Sequence, residues 1–142
     1  MKHIQVFERK RPIPRKAIMI NILAHFITKV NGFEFEDNWI QLWGNDLYTK
    51  QALLDWIKEE TGKEMREVMV HVIKGNVPRH VDKMTRECFV FPIRIHSGNV
   101  LTVSTDKVSL DNKHFYMFDD YKRHSLSNPS NNRMILLTAS SD

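Results

Sequence analysis

The sequence holds a single cysteine, Cys88, among 142 residues. An internal disulfide is therefore excluded, and with it a disulfide-stapled secreted scaffold and a cysteine-built zinc site. Glycine is also scarce: five residues are scattered singly at turns, so no glycine-rich phosphate loop is present. There is no GxSxG nucleophile elbow, and Cys88 lies in an apolar run, where a thiol is usually inert. Long apolar runs are missing too. The most apolar stretch, "AIMINILAHFITKV" (17–30), is interrupted by Asn21, His25 and Thr28 and is too short to span a bilayer. A basic tract precedes it, as in a signal peptide, but no small-residue cleavage site follows. A cytoplasmic protein with no membrane partner is expected.

What is present is a basic amino-terminal arm. Residues 1–16 carry six Lys/Arg against one acid, while the rest of the chain carries 15 against 16. The net charge of +4 thus belongs to the arm and not to the folded body. Arg9, Lys10, Arg11, Arg15 and Lys16 are the candidates for touching nucleic-acid phosphates, with a solvated terminal segment as the plainer reading. With 42% apolar and 27% charged residues, one folded domain is expected. Its bounds read as an extended arm over 1–14, a domain over 15–138 and a tail over 139–142.

Hydrophobic spacing gives the order of elements. Polar Asn21, His25, Thr28 and Lys29 mark the narrow polar stripe of a helix over 15–30, stopped by Asn31-Gly32. A short helix is expected over 38–43, and another over 50–61, capped by Thr49 and ended by Gly62. From Met65 the period becomes two. Val68, Val70 and Val72 fall on one face of a strand, and Met69, His71 and Ile73 on the other. "NVPRHVDKMT" (76–85) reads as a loop, and "SLSNPSNN" (125–132) as a second one. Strands are expected over 86–96, after the Ser97-Gly98-Asn99 turn, over 114–119 and over 133–138. In "HFYMFDDY" the two aspartates take opposite faces, Asp119 with Phe115 and Met117, Asp120 with Tyr116 and Phe118. Helices followed by an antiparallel meander predict an α+β fold, with helices packed on one face of a curved sheet.

Several phrases resemble the superfamily named for nuclear transport factor 2, which includes ketosteroid isomerases and SnoaL-like cyclases. "ILAHFITKVNGFEFEDNWIQLWGND" is similar to its first two helices, and "TKQALLDWIKE" to its third. "VMVHVIKGN" is similar to its histidine-bearing strand, and "VSLDNKHFYMFDDY" to its closing strand. The resemblance implies a cone-shaped barrel around a pocket for a small apolar or aromatic ligand. It also implies isomerisation, cyclisation or dehydration by acid–base chemistry without a cofactor, and a homodimer formed through the sheet. Asp119 or Asp120 would be the base, His71 its partner, and Tyr116 or His96 an oxyanion donor. Trp39, Trp43 and Arg94 would complete the ligand site. The rival classes are a nucleic-acid-binding accessory protein using the arm and a non-catalytic interaction or inhibitor module.

No metal site is expected. His71, His80, His96, His114 and His124 show neither HxxxH nor HxH spacing. Asp106 with Asp111-Asn112-Lys113 is only a faint nuclease-like pattern.

Overall fold

The computed structural model describes residues 1–28, 39–82 and 87–141. The expected cap at Asn31-Gly32 and the "FEFE" run lie outside them. Among the described residues, ten strands form two antiparallel sheets. The larger has six strands in the order β1-β8-β5-β10-β3-β2, namely Gln5–Glu8, His114–Asp119, Glu87–Arg94, Met134–Ser141, Glu67–Ile73 and Trp39–Trp43. The smaller has four, β4-β9-β6-β7, namely Val77–His80, His124–Ser127, Val100–Val103 and Asp106–Ser109. Two α-helices, α1 (Arg15–Thr28) and α2 (Lys50–Thr61), and a short 3-10 turn at Gly44–Asp46 complete the described elements.

The large sheet is buried on both faces, which explains why its central strands read as nearly continuous apolar runs. Alternation divides their side chains into two cores. Val68, Val70, Phe89, Phe91, Phe115 and Leu137 pack outward against Ile18, Ile22, Leu53 and Ile57 of the helices. Ile73, Val90, Tyr116, Phe118, Met134 and Leu136 point inward and meet Val77, Leu101 and Val103 of the small sheet. Central β10 pairs with both β5 and β3, placing Leu136 opposite His71 and Leu137 opposite Val70 and Phe91.

This arrangement overturns the expected cone. There a curved sheet wraps helices around a pocket; here a second sheet closes the inner face and the helices lie outside. The difference comes from three short strands. β4 and β9 have four residues each, with Pro78 or polar residues at the less buried positions, so their composition is that of loops. β2 was expected as a helix because "DNWIQLW" fits either period over so short a span. Thr49 does stand before α2, but its hydroxyl donates to Ala17 O at 2.7 Å instead of capping. Gly62 ends α2 as expected, in the left-handed region at φ 73°.

The amino-terminal segment is built into the fold. β1 pairs with β8, and Ile4 is buried. The next residues are held by Glu60, which is only 2% exposed at the inner face of α2. Its carboxylate accepts the backbone N–H groups of Lys10 (3.0 Å) and Arg11 (3.3 Å). Trp56, one turn earlier, donates its indole N–H to Pro12 O at 2.9 Å. Glu60→Ala strands these donors, so it should lower unfolding free energy by about 2 kcal/mol. Urea denaturation checks this, and an unchanged midpoint would contradict it.

Candidate metal centre

Two histidines and one aspartate converge where β4 and β9 pair. His80 ends β4, His124 begins β9, and the register sets them directly opposite each other. Their rings lie 4.3 Å apart between centroids. Alternation puts Asp82 on the same side as His80, just beyond the strand end. Its backbone N–H donates to Asp120 O at 3.0 Å, fixing the loop after β4 to the end of β8. One ligand atom from each of His80, Asp82 and His124 lies within 4.8 Å of the others.

The backbone dictates which ring nitrogens are free. His124 Nδ1 is 2.8 Å from Lys122 O, and His80 Nδ1 is 2.7 Å from Pro78 O. A carbonyl only accepts, so each Nδ1 carries a proton and each Nε2 is turned toward Asp82. The Nε2 distances are 3.2 Å from His124 to Asp82 Oδ2 and 3.8 Å from His80 to Oδ1. Burial opposes a charge on His124, but the bonds to Asp82 and Lys122 O together with the charges of Asp82 and Asp120 outweigh it and raise the pKa. The same bond from His124 holds the Asp82 carboxyl below the usual range. Two imidazoles oriented through Nδ1–H bonds and one carboxylate form a donor set suited to a divalent metal. With three protein donors among the described residues, a bound metal would keep coordination positions open. Asp82 is about half exposed, so the trio is reachable from outside.

The trio borders a cavity of about 440 Å³ between the two sheets. Asp120 lines it too, just 3% exposed. Its Oδ1 is buried and has no hydrogen-bond partner among the described residues. Burial first, and the neighbouring Asp82 charge second, push its pKa up to about 6. His71 is buried at the same cavity, where desolvation lowers its pKa to about 4 and keeps the ring neutral. Cys88 also lines the cavity, and burial pushes its thiol up.

The structure brings His71, Asp120, Trp39 and Trp43 together around this cavity. It separates the others. Asp119 is exposed on the opposite face of β8 and accepts the Tyr121 N–H at 3.0 Å. Tyr116 is buried, with its hydroxyl bonded to Ser109 O and the Asp111 N–H. Arg94 is exposed, and His96 Nε2 lies 3.2 Å from Arg133 O. In the arm, Arg9 Nη1 donates to Arg11 O, and Arg11 pairs with Glu59 at 3.8 Å. Arg15 and Lys16 are exposed at the start of α1. Asp106 accepts the backbone N–H groups of His3 and Ile4, and Asp111 pairs with His114, so neither resembles a nuclease centre. Sequence reasoning missed His80, Asp82 and His124. Its signal was His80-Val81-Asp82, which an alternating strand turns to one side.

No protein-family model and no curated protein matches the sequence. Solved structures do match in fold. An oxidoreductase of the 2OG-Fe(II) oxygenase family from Burkholderia pseudomallei aligns over 84% of this chain and 76% of its own, at 10% identity and TM-score 0.57. EvdMO1 aligns over 96% of this chain at 11% identity and TM-score 0.65, although the chain spans only 46% of its length. A Pseudomonas putida prolyl-4-hydroxylase aligns over 97% of this chain and 91% of its own, at 13% identity and TM-score 0.53. These likenesses are of fold alone: the chain shares with those proteins an arrangement of antiparallel sheets packed as a β-sandwich. They overturn the resemblance to the nuclear transport factor 2 superfamily and its SnoaL-like barrel. The cofactor-independent isomerase, cyclase or dehydratase inferred from it falls with it, and the cavity is bordered by a candidate metal site instead. No helix among the described residues is long and apolar enough to cross a membrane.

Asp120 has a raised folded pKa. The native state therefore holds a proton that the unfolded chain releases, and stability falls as pH rises from about 4 through about 6. In metal-free protein, Asp120→Asn should raise stability at pH 8 by roughly 1–2 kcal/mol and leave it nearly unchanged at pH 4. Thermal melts across this range check it; an equal effect at both pH values would contradict it.

Proposed function

We propose that this chain is a divalent-metal protein of the non-haem iron oxygenase class, acting on a small apolar or aromatic molecule held in the cavity. The observation that carries the reading is the pair of histidines, each with Nδ1–H tied to a backbone carbonyl and Nε2 turned to Asp82. A 2-His-1-carboxylate set with open positions is the arrangement used by non-haem Fe(II) oxygenases. The fold likeness to proteins titled 2OG-Fe(II) oxygenase and prolyl-4-hydroxylase supports it as analogy.

When bound, Fe(II) would supply the oxygen chemistry, and His80, Asp82 and His124 would hold it. The chain's own part is the surrounding wall. Leu101, Val90, Phe118 and Leu136 keep the inner end apolar, and Trp39 and Trp43 offer flat surfaces for a ring. Asp120 brings a buried carboxylate oxygen, unpartnered among the described residues, that would accept from a donor on the ligand. The described lining includes no lysine or arginine to pair with the second carboxylate of 2-oxoglutarate. That cosubstrate therefore does not fit the described wall, and no step is assigned to it.

Calorimetric titration with Mn(II) at neutral pH should find one site per chain. His124→Ala should weaken it by roughly a hundredfold, since a direct ligand matters at least as much as its supports. Affinity should also fall as the pH drops below neutral, because metal must displace the proton shared by His124 and Asp82. Undiminished Mn(II) binding by His124→Ala would overturn the reading.

A further inference from the structure

One wall of the cavity carries polar chemistry that the metal trio does not use. Trp39 on β2, His71 on β3 and Thr138 on β10 come from three adjacent strands, and all three line the cavity. The Trp39 indole Nε1 lies 3.0 Å from His71 Nδ1, and His71 Nε2 lies 2.6 Å from Thr138 Oγ1. An indole N–H only donates, so Nδ1 must accept. A ring whose Nδ1 accepts carries its single proton on Nε2, which therefore donates to the threonine oxygen. That uses one lone pair of the hydroxyl. Its own hydrogen meets no acceptor among the described residues and is left for the cavity. The Trp39 ring also lies 6.0 Å from the His80 ring, so this wall adjoins the metal trio.

The remaining lining limits what that hydrogen can meet. Glu67, Asp82 and Asp120 contribute acids, and no lysine or arginine stands among the described lining residues. An anionic acceptor would meet like charge without a partner, whereas a neutral oxygen would not.

We propose that the Trp39–His71–Thr138 relay is the ligand-recognition element of the cavity: a directed hydroxyl donor that takes the neutral carbonyl or carboxamide oxygen of a flat aromatic ligand lying against Trp39. Trp39 fixes the ring of His71, His71 fixes the oxygen of Thr138, and within the relay Thr138 alone hydrogen-bonds the ligand, whose ring rests on Trp39. His71 is thus a positioning residue. The inference rests on the reading of the cavity as a ligand site beside a metal, but its central contrast can be measured without metal.

The probes are benzamide, a neutral aromatic carboxamide, and benzoate, its near-isosteric anion, titrated by ligand-observed NMR into the full chain. Benzamide should bind at least about tenfold tighter than benzoate. Thr138→Val, which keeps the shape and removes the hydroxyl, should weaken benzamide by about tenfold, and Thr138→Ser should restore it. Nitrogen-15 shifts of the wild-type ring should report a neutral Nε2–H His71 at pH 6, a readout that a merely packed histidine need not give. Equal binding of the two probes, no benzamide binding, or unchanged benzamide affinity in Thr138→Val would overturn the inference. Mn(II) binding is measured on the same samples. Loss of metal binding with the benzamide contrast intact would remove the metal reading alone; metal binding without the contrast would remove this inference alone.

Discussion

His80 and His124 are cross-strand partners because β4 and β9 pair antiparallel in the smaller sheet, and much of the molecule is arranged around that pairing. Opposed residues on neighbouring strands stand about 5 Å apart, a spacing at which two imidazoles can share one ion. The carbonyls of Pro78 and Lys122 then turn each ring by accepting its Nδ1 proton. Asp82 joins through simple alternation, and Asp120 O ties the loop that carries it. Without this pairing the three donors would be scattered over two loops.

The larger sheet makes the pairing useful. Because it is covered by helices on one face and by the small sheet on the other, its strands divide cleanly between two cores. The inner core is incomplete near the metal trio, and that gap is the cavity. Asp120 and His71 sit there in desolvated surroundings, which is why Asp120 is pushed up and His71 down. The cavity therefore offers neutral donors on the Trp39–His71–Thr138 wall and acceptors around Asp120.

Part of this was legible in the sequence. The period-two pattern in "EVMVHVI" placed His71 opposite Val70 and Val72, and the structure keeps that division, with valines outward and His71 at the cavity. Parity in "HFYMFDD" separated Asp119 from Asp120, and the structure turns Asp120 inward. The strands that build the metal centre were not legible. β4 contains Pro78 and two well-exposed positions, and β9 reads His-Ser-Leu-Ser, so neither has enough apolar residues to announce a strand. Their pairing depends on tertiary contacts, so the link between His80-Val81-Asp82 and His124 could not be seen along the chain. The same blindness produced the cone: β6 and β7 were read as part of one meander, and without β4 and β9 they did not announce a second sheet.

The central proposal is one metal ion shared by His80, Asp82 and His124. A crystal of the chain grown with Mn(II) and measured for anomalous scattering would test it most directly. The account predicts a single strong peak within bonding distance of both Nε2 atoms and an Asp82 oxygen, roughly 2.0–2.3 Å away. A peak elsewhere, or none between the two histidines with Mn(II) in excess, would contradict it.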